Sequence, residues 1–384
     1  MPYKNEVDLA RALVSTPSPS GQESPAARLL VEAFNTLGFD EAWTDEAGNA
    51  IGAIRRGPGK TVMFNGHIDT VPVGDESLWP HPPLAGAIEG GELWGRGSVD
   101  MKSAIACMAF AALDVAADGF AGTILVTGVV LEEKNGLGAR HLAATQKADV
   151  VVLGEPSDLK LMLGHRGRVE VQVRFPGKIA HAAKSTLGSN ALLRAARFLV
   201  ALEALELPGG GPLGYSTATP TRLHVSPDSA NVVPGEATLY IDYRYVPGDG
   251  PEEITRRLGA IDPEAGLTVR SVTATSENGA IREEVMVHNP VWHISAAHPA
   301  VESARAAAAA QLAREGMELE EGNWWFATDA PYLSEGGIPV IGFGPGDPEL
   351  AHTTDERIET RQLGIARRVY GAIAAAALGG AEGD

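Results

Sequence analysis

Short apolar runs alternate along the chain with longer stretches whose apolar positions recur every three or four residues. The runs are 61–64, 123–131, 149–153 and 339–343. The stretches of helical period are 7–13, 24–38, 101–117 and 299–315, and Ser18-Pro19-Ser20-Gly21 separates the first two. Ser24 followed by Pro25 starts the second, because a helix's first turn loses nothing by lacking an N–H. Buried strands alternating with helices predict an α/β fold, a mainly parallel sheet flanked by helices.

The middle of the chain follows another rule. Residues 168–175 and 237–245 alternate apolar and polar with period two, as strands buried on one face do. Between them lie a helical stretch, 190–205, and a Gly/Pro-rich turn, 208–214; a further strand is expected over 267–275. This pattern predicts an antiparallel sheet. The reading is an inserted α+β domain over 166–285 that divides a catalytic domain into 1–165 and 286–384. A length of 384 residues agrees, since single cores rarely grow beyond about 250–300 residues.

Composition removes several functions. A net charge of −18 argues against nucleic acid, whose phosphates need a Lys/Arg surplus. Cys107 is the one cysteine, so neither a disulfide framework nor a thiolate metal site can form. With no signal-like start and no long apolar run, no membrane segment is expected, and the default location is the cytoplasm.

The chemistry lies where the apolar runs end. The first is followed by His67-Ile-Asp69, the second by Glu132-Glu133 and the third by Glu155. In open α/β sheets ligands sit outside the carboxyl ends of the strands, so one rim would receive an imidazole and several carboxylates. Asp100 stands where a Gly-rich loop enters the 101–117 helix, and His352 follows the last run. Each residue alone has a plainer reading: a packed histidine, or a carboxylate at a helix N-terminus. Together they concentrate negative charge with no Lys/Arg cluster beside them, and cations must compensate. Imidazole and carboxylate without thiolate suit zinc, cobalt or manganese. Two ions are expected, with Asp100 able to bridge them; a pair about 3.5–4 Å apart acidifies a shared water and polarises a carbonyl.

The stretches GHIDTVPVGD, GRGSVDMKSAIA, LEEKNGLGAR, VVLGEPSD and AHTTDERI resemble the acetylornithine deacetylase, succinyl-diaminopimelate desuccinylase, aminoacylase and carboxypeptidase G family of dinuclear zinc hydrolases. The likeness runs in order through nearly the whole chain. It implies that His67, Asp100 and Glu155 hold one metal, and Asp100, Glu133 and His352 the other. It implies Asp69 as the carboxylate that orients the His67 imidazole, Glu132 as general base, and a cis peptide after Asp100. In the insert, Gly177-Lys-Ile-Ala-His181 resembles the motif whose His reaches a partner subunit's site and stabilises the oxyanion. Asn231 and Arg244 resemble the residues that hold a substrate carboxylate, with Arg166 a weaker match. The resemblance also implies a homodimer built through the insert. One stretch departs from it: Trp324-Trp325-Phe326-Ala327 precedes the pair Thr328-Asp329 where the family carries a glycine-rich turn. Bulk there bears on the pocket around Thr328; it favours a larger or more apolar substrate, the plainer alternative being that two Trp at a strand end serve packing.

The function expected is therefore hydrolysis of the amide bond of a small N-acyl amino acid or peptide. A carboxypeptidase or dipeptidase is the alternative. A carrier-protein lysine or ornithine hydrolase ranks lower, because an acidic enzyme repels an acidic carrier. No G-x-S-x-G elbow or Walker loop supports a serine hydrolase or nucleotide enzyme. A dead binding protein should have lost a ligand or the base, and none is missing.

Overall fold

The computed structural model describes residues 3–379. The apolar runs pair with one another, and their connections decide their directions. Gly122–Val129, Thr61–His67, Val150–Leu153 and Val340–Phe343 lie side by side and parallel. Crossovers through helices make that possible, since parallel neighbours cannot be joined by a tight turn. The flanks are mostly antiparallel, with Glu321–Trp324 added parallel to Leu161–His165. Glu41–Thr44 and Ala50–Arg56 form a hairpin on one side; Leu161–His165 and Trp292–His293 lie on the other. The hairpin turn is held by Asp45, whose Oδ1 accepts the N–H groups of Ala47, Gly48 and Asn49.

Helices Glu6–Val14, Lys102–Asp118 and Thr360–Leu378 pack against one another, and Lys102–Asp118 also packs on the central strands. Lys102 through Ala112 are all buried, so that helix is enclosed on every side and its sequence shows little amphipathic stripe.

A second, antiparallel sheet has the order Thr217–Ser226, Glu236–Tyr245, Gly167–Pro176, Gly266–Val269, with His288–Asn289 also pairing Gly167–Pro176. Val169, Val171, Val173 and Phe175 alternate inward and meet the helices Ala191–Glu203 and Pro251–Gly259 in a core of their own. The chain crosses from the first sheet to the second at Arg166 and returns after Asn289.

The strand expected over 267–275 is two strands. Gly266–Val269 stays in the second sheet, whereas Ser271–Thr275 turns away to pair with Arg282–Met286. Apolar burial explains the break: Ala274, Ile281 and Val285 of this hairpin pack on the core of the first sheet. Thr217–Ser226 had no visible alternation. It is an edge strand, exposed along most of its length, where one side is unpaired and Pro220 is tolerated. The 208–214 turn contains a small hairpin of Gly209–Gly211 with Gly214–Tyr215. No helix among the described residues is long and apolar enough to cross a membrane.

Candidate metal centre and active site

Three parallel strands deliver the first residues to one rim. His67 is the last residue of Thr61–His67, Glu155 follows Val150–Leu153, and Glu132 and Glu133 follow Gly122–Val129 through a turn with Leu131 at φ 60°. Before His67 only glycine fits: a Cβ on Gly66 would lie 2.4 Å from Met101 Cε and 2.8 Å from Ile105 Cγ1. That close approach of helix to strand puts Asp100 beside His67. The Asp100–Met101 peptide is cis. His352 comes from the far end of the chain in a left-handed conformation, φ 63°.

His67 Nε2 lies 2.8 Å from Asp100 Oδ1 and 3.9 Å from Glu155 Oε2. His352 Nε2 lies 2.8 Å from Glu133 Oε1 and 3.2 Å from Asp100 Oδ2. Each oxygen of Asp100 thus faces a different imidazole. Glu132 joins from the side, its carboxylate grouped with His67 and Glu155.

The donor set fits cations. Burial, then the charges of Glu155 and Asp329, push Glu132 well above the usual carboxylate range; burial likewise raises Glu155 and Glu133. Asp329 is driven up to about 7, chiefly by burial, and neither of its oxygens has a hydrogen-bond donor among the described residues. The imidazoles answer in the opposite sense. Burial lowers His67, but hydrogen bonding to Asp100 and the neighbouring carboxylates outweigh it and raise it well above 6.5. Asp100 and Glu133 lift His352 to about 10. A pocket that would hold protons on both Nε2 atoms is short of positive charge, and divalent ions supply it.

Asp69 has a wider role than orienting an imidazole. Its backbone carbonyl is nearer to His67 Nδ1, at 2.9 Å, than its carboxylate, at 3.5 Å. The carboxylate instead accepts the N–H of Glu132 at 3.1 Å, the N–H of Glu133 at 3.2 Å and the hydroxyl of Ser20 at 2.7 Å. It therefore holds the turn on which both glutamates ride.

With this geometry in view, comparison with known proteins is decisive. The model of peptidase family M20/M25/M40 matches residues 63–376. The chain belongs to this family. It is thus a hydrolase, and the cluster at the strand ends fits the dinuclear metal centre of M20 enzymes. A succinyl-diaminopimelate desuccinylase of Methylobacterium sp. (strain 4-46) is 30% identical over 384 residues, 92% of this chain and 91% of that protein. Among solved structures, aminopeptidase PepT from Bacillus cereus shares the fold with a TM-score of 0.76 at 22% identity, covering 97% of this chain and 98% of that one. The Bacillus subtilis YXEP protein, a dinuclear metal binding peptidase of the M20 family, does so with a TM-score of 0.70 at 16% identity, covering 97% of each chain.

The other expected residues lie on the second sheet and around the crossing. His181 is exposed; its Nδ1 accepts the Ala183 N–H, and its strand pairs with Val232–Val233, next to Asn231. Arg244 Nε and Arg168 Nε each donate to Asp242 at 2.7 Å, and although burial opposes it, these guanidinium groups hold Asp242 below the usual range. Arg166 donates to the Tyr215 carbonyl. Thr328 is buried: its N–H donates to His165 Nε2 and its hydroxyl accepts the Ala330 N–H. Among the described residues, no hydrogen bond or ion pair joins His181, Asn231 or Arg244 to the metal cluster. In the departing stretch, Trp324 is buried and donates to the Pro156 carbonyl, one residue past Glu155, whereas Trp325 is exposed.

Three supporting residues escaped the sequence reading. In the sequence Ser20 reads only as part of a helix break. Glu356 is buried in the same AHTTDERI stretch as His352, and its partners lie 256–260 residues away. Lys102 is buried with Nζ donating to the Leu13 and Thr16 carbonyls, and no local pattern marks a lysine destined for the interior.

Proposed function

We propose that this chain is a two-metal amidohydrolase that cleaves the amide of a small N-acyl amino acid or peptide bearing a free carboxylate. His67, Asp100 and Glu155 would hold one ion, and Asp100, Glu133 and His352 the other; zinc is the expected metal, with cobalt or manganese as substitutes. The carrying observation is that each Asp100 oxygen faces a different imidazole. When bound, the metals acidify the attacking water and polarise the amide carbonyl.

The chain's own groups do the rest. Glu132 takes the water's proton on its carboxylate as the oxygen bonds to the carbonyl carbon. It then delivers that proton to the amide nitrogen as the C–N bond breaks, leaving a carboxylic acid and an amine, which ionise to carboxylate and ammonium by a further proton transfer. Arg244 grips the substrate carboxylate, since only its Nε is engaged with Asp242 among the described residues. The inserted domain, 166–285, acts as a lid and pairs with its counterpart in a homodimer. The exposed edge strand Thr217–Ser226 supports this, and His181 then serves the neighbour's oxyanion.

The test is hydrolysis by zinc- or cobalt-loaded protein of N-acetyl and N-succinyl amino acids, dipeptides and lysine-capped carrier peptides. Turnover of a carboxylate-bearing amide is expected, lost on chelation and restored by zinc. Full turnover after exhaustive chelation, with metal content near zero, would overturn the reading. The desuccinylase relative makes succinylated substrates the first to try.

A further inference from the structure

We infer that Glu356 is a positioning residue of the metal centre: it locks the turn carrying Asp100 onto the segment carrying His352 and so sets the spacing of the two metal positions. This rests on the reading of Asp100 and His352 as ligands. Glu356 is 0% exposed. Its Oε1 accepts the backbone N–H groups of Gly97, Val99 and Asp100 at 2.9, 3.0 and 3.2 Å, and its Oε2 accepts from Arg96 Nη1 at 2.5 Å. Its own carbonyl accepts the Gly95 N–H. One residue thus gathers four of the six amides over 95–100, the turn that ends in Asp100.

The chemistry suits a lock. Converging backbone N–H groups form a nest for an anion, and a guanidinium completes it with a charge-assisted bond. Arg96 is fixed in turn, its guanidinium 4.9 Å from the centroid of the Trp79 ring. On the far side His352 stands four residues before Glu356, and the next residue begins the strand Arg357–Glu359, paired with Glu92–Trp94. The two ligand-bearing segments are therefore tied at one carboxylate, while the half-exposed His352 side chain itself meets only Glu133 and Asp100 among the described ion pairs. A residue that served only folding would lower stability and leave the two metal affinities in their usual ratio.

The experiment is calorimetric zinc titration of metal-stripped wild type, Glu356→Gln and Glu356→Asp, with kcat and KM at saturating zinc. Gln puts an NH₂ against either Arg96 or the three amides; Asp keeps the charge but cannot reach both. Wild type should take up two equivalents. In the variants the equivalent bound by Glu133 and His352 should weaken roughly 10–100-fold, and kcat should fall with KM little changed. Asp114→Asn, which disturbs the remote Arg367 pair, should lower stability and leave both zinc affinities intact. Two equivalents at wild-type affinity in either folded variant would overturn the inference, as would failure of both variants to fold with or without zinc. Failure of the wild type to bind two equivalents would instead count against the function proposed above.

Discussion

Asp69→Asn separates what a carboxylate does from what its shape does. Asp69 Oδ1 accepts the Glu132 N–H; Oδ2 accepts the Glu133 N–H and the Ser20 hydroxyl. Asn has one acceptor oxygen, so in either orientation its NH₂ faces a backbone N–H. The Ser20 hydroxyl can rotate and accept, but the amide cannot. One buried donor is stranded, at a cost of about 1–3 kcal/mol. His67 is less affected, because its Nδ1 keeps the Asp69 backbone carbonyl at 2.9 Å. Zinc affinity should therefore fall at the low end of the usual range for an outer partner, roughly tenfold or about 1.4 kcal/mol. The catalytic loss should be larger, because the Glu132 turn itself is released. Urea unfolding of the metal-free protein, zinc competition against a chelating indicator and kcat at saturating zinc read the three effects separately. If stability and kcat both stay at wild-type values, Asp69 does not hold the turn. If zinc affinity falls far more than kcat, its main role is on His67 after all.

Glu132→Ala should retain two zinc equivalents and lose about 10²–10⁴-fold in kcat, the usual worth of a general base; metal analysis and single-turnover rates decide it, and metal loss would exchange its role with that of Glu133. Arg244→Ala should raise KM for carboxylate-bearing substrates by about 10–100-fold, a charged hydrogen bond being worth about 1.5–3 kcal/mol. The same substrate with its carboxylate replaced by a carboxamide should show no such difference between wild type and variant; an equal KM rise for both would remove Arg244 from the carboxylate site. Inactive Glu132→Ala and His181→Ala protomers, mixed with verified subunit exchange, should regain roughly a quarter of wild-type activity, since about half the dimers are mixed and each has one complete site. No recovery would place His181 in its own chain's site or outside the chemistry.

Strand-end chemistry was legible because both of its ingredients are local. The apolar run 61–64 and the His67-Ile-Asp69 that follows it can be read from consecutive residues, and the rim of a parallel sheet is where such ends meet. Period two in 168–175 likewise announced the second sheet. Thr217–Ser226 was hidden because an edge strand exposed on both faces has no hydrophobic alternation to show. Arg270, where 267–275 breaks, carries no turn signal; the break comes from Ala274 finding the other core. Glu356 and Ser20 were illegible for a related reason. Glu356 bonds three backbone amides, which carry no residue identity to read, and the side-chain partners, Arg96 for Glu356 and Asp69 for Ser20, lie 260 and 49 residues away.

Glu132, Glu133 and Asp100 therefore share one design. Each rides on a turn, not on a strand, and turns are the part of a fold with the fewest backbone partners of their own. Two buried carboxylates supply those partners from a distance: Asp69 to the amides of Glu132 and Glu133, Glu356 to the amides leading to Asp100. Both are carboxyl groups added to a pocket already rich in acids, which is costly unless each is met by its own donors. Asp69 has a hydroxyl and two amides; Glu356 has three amides and a guanidinium. Asp329 has none among the described residues, although it lies in the same electrostatic field as His67 and Asp69.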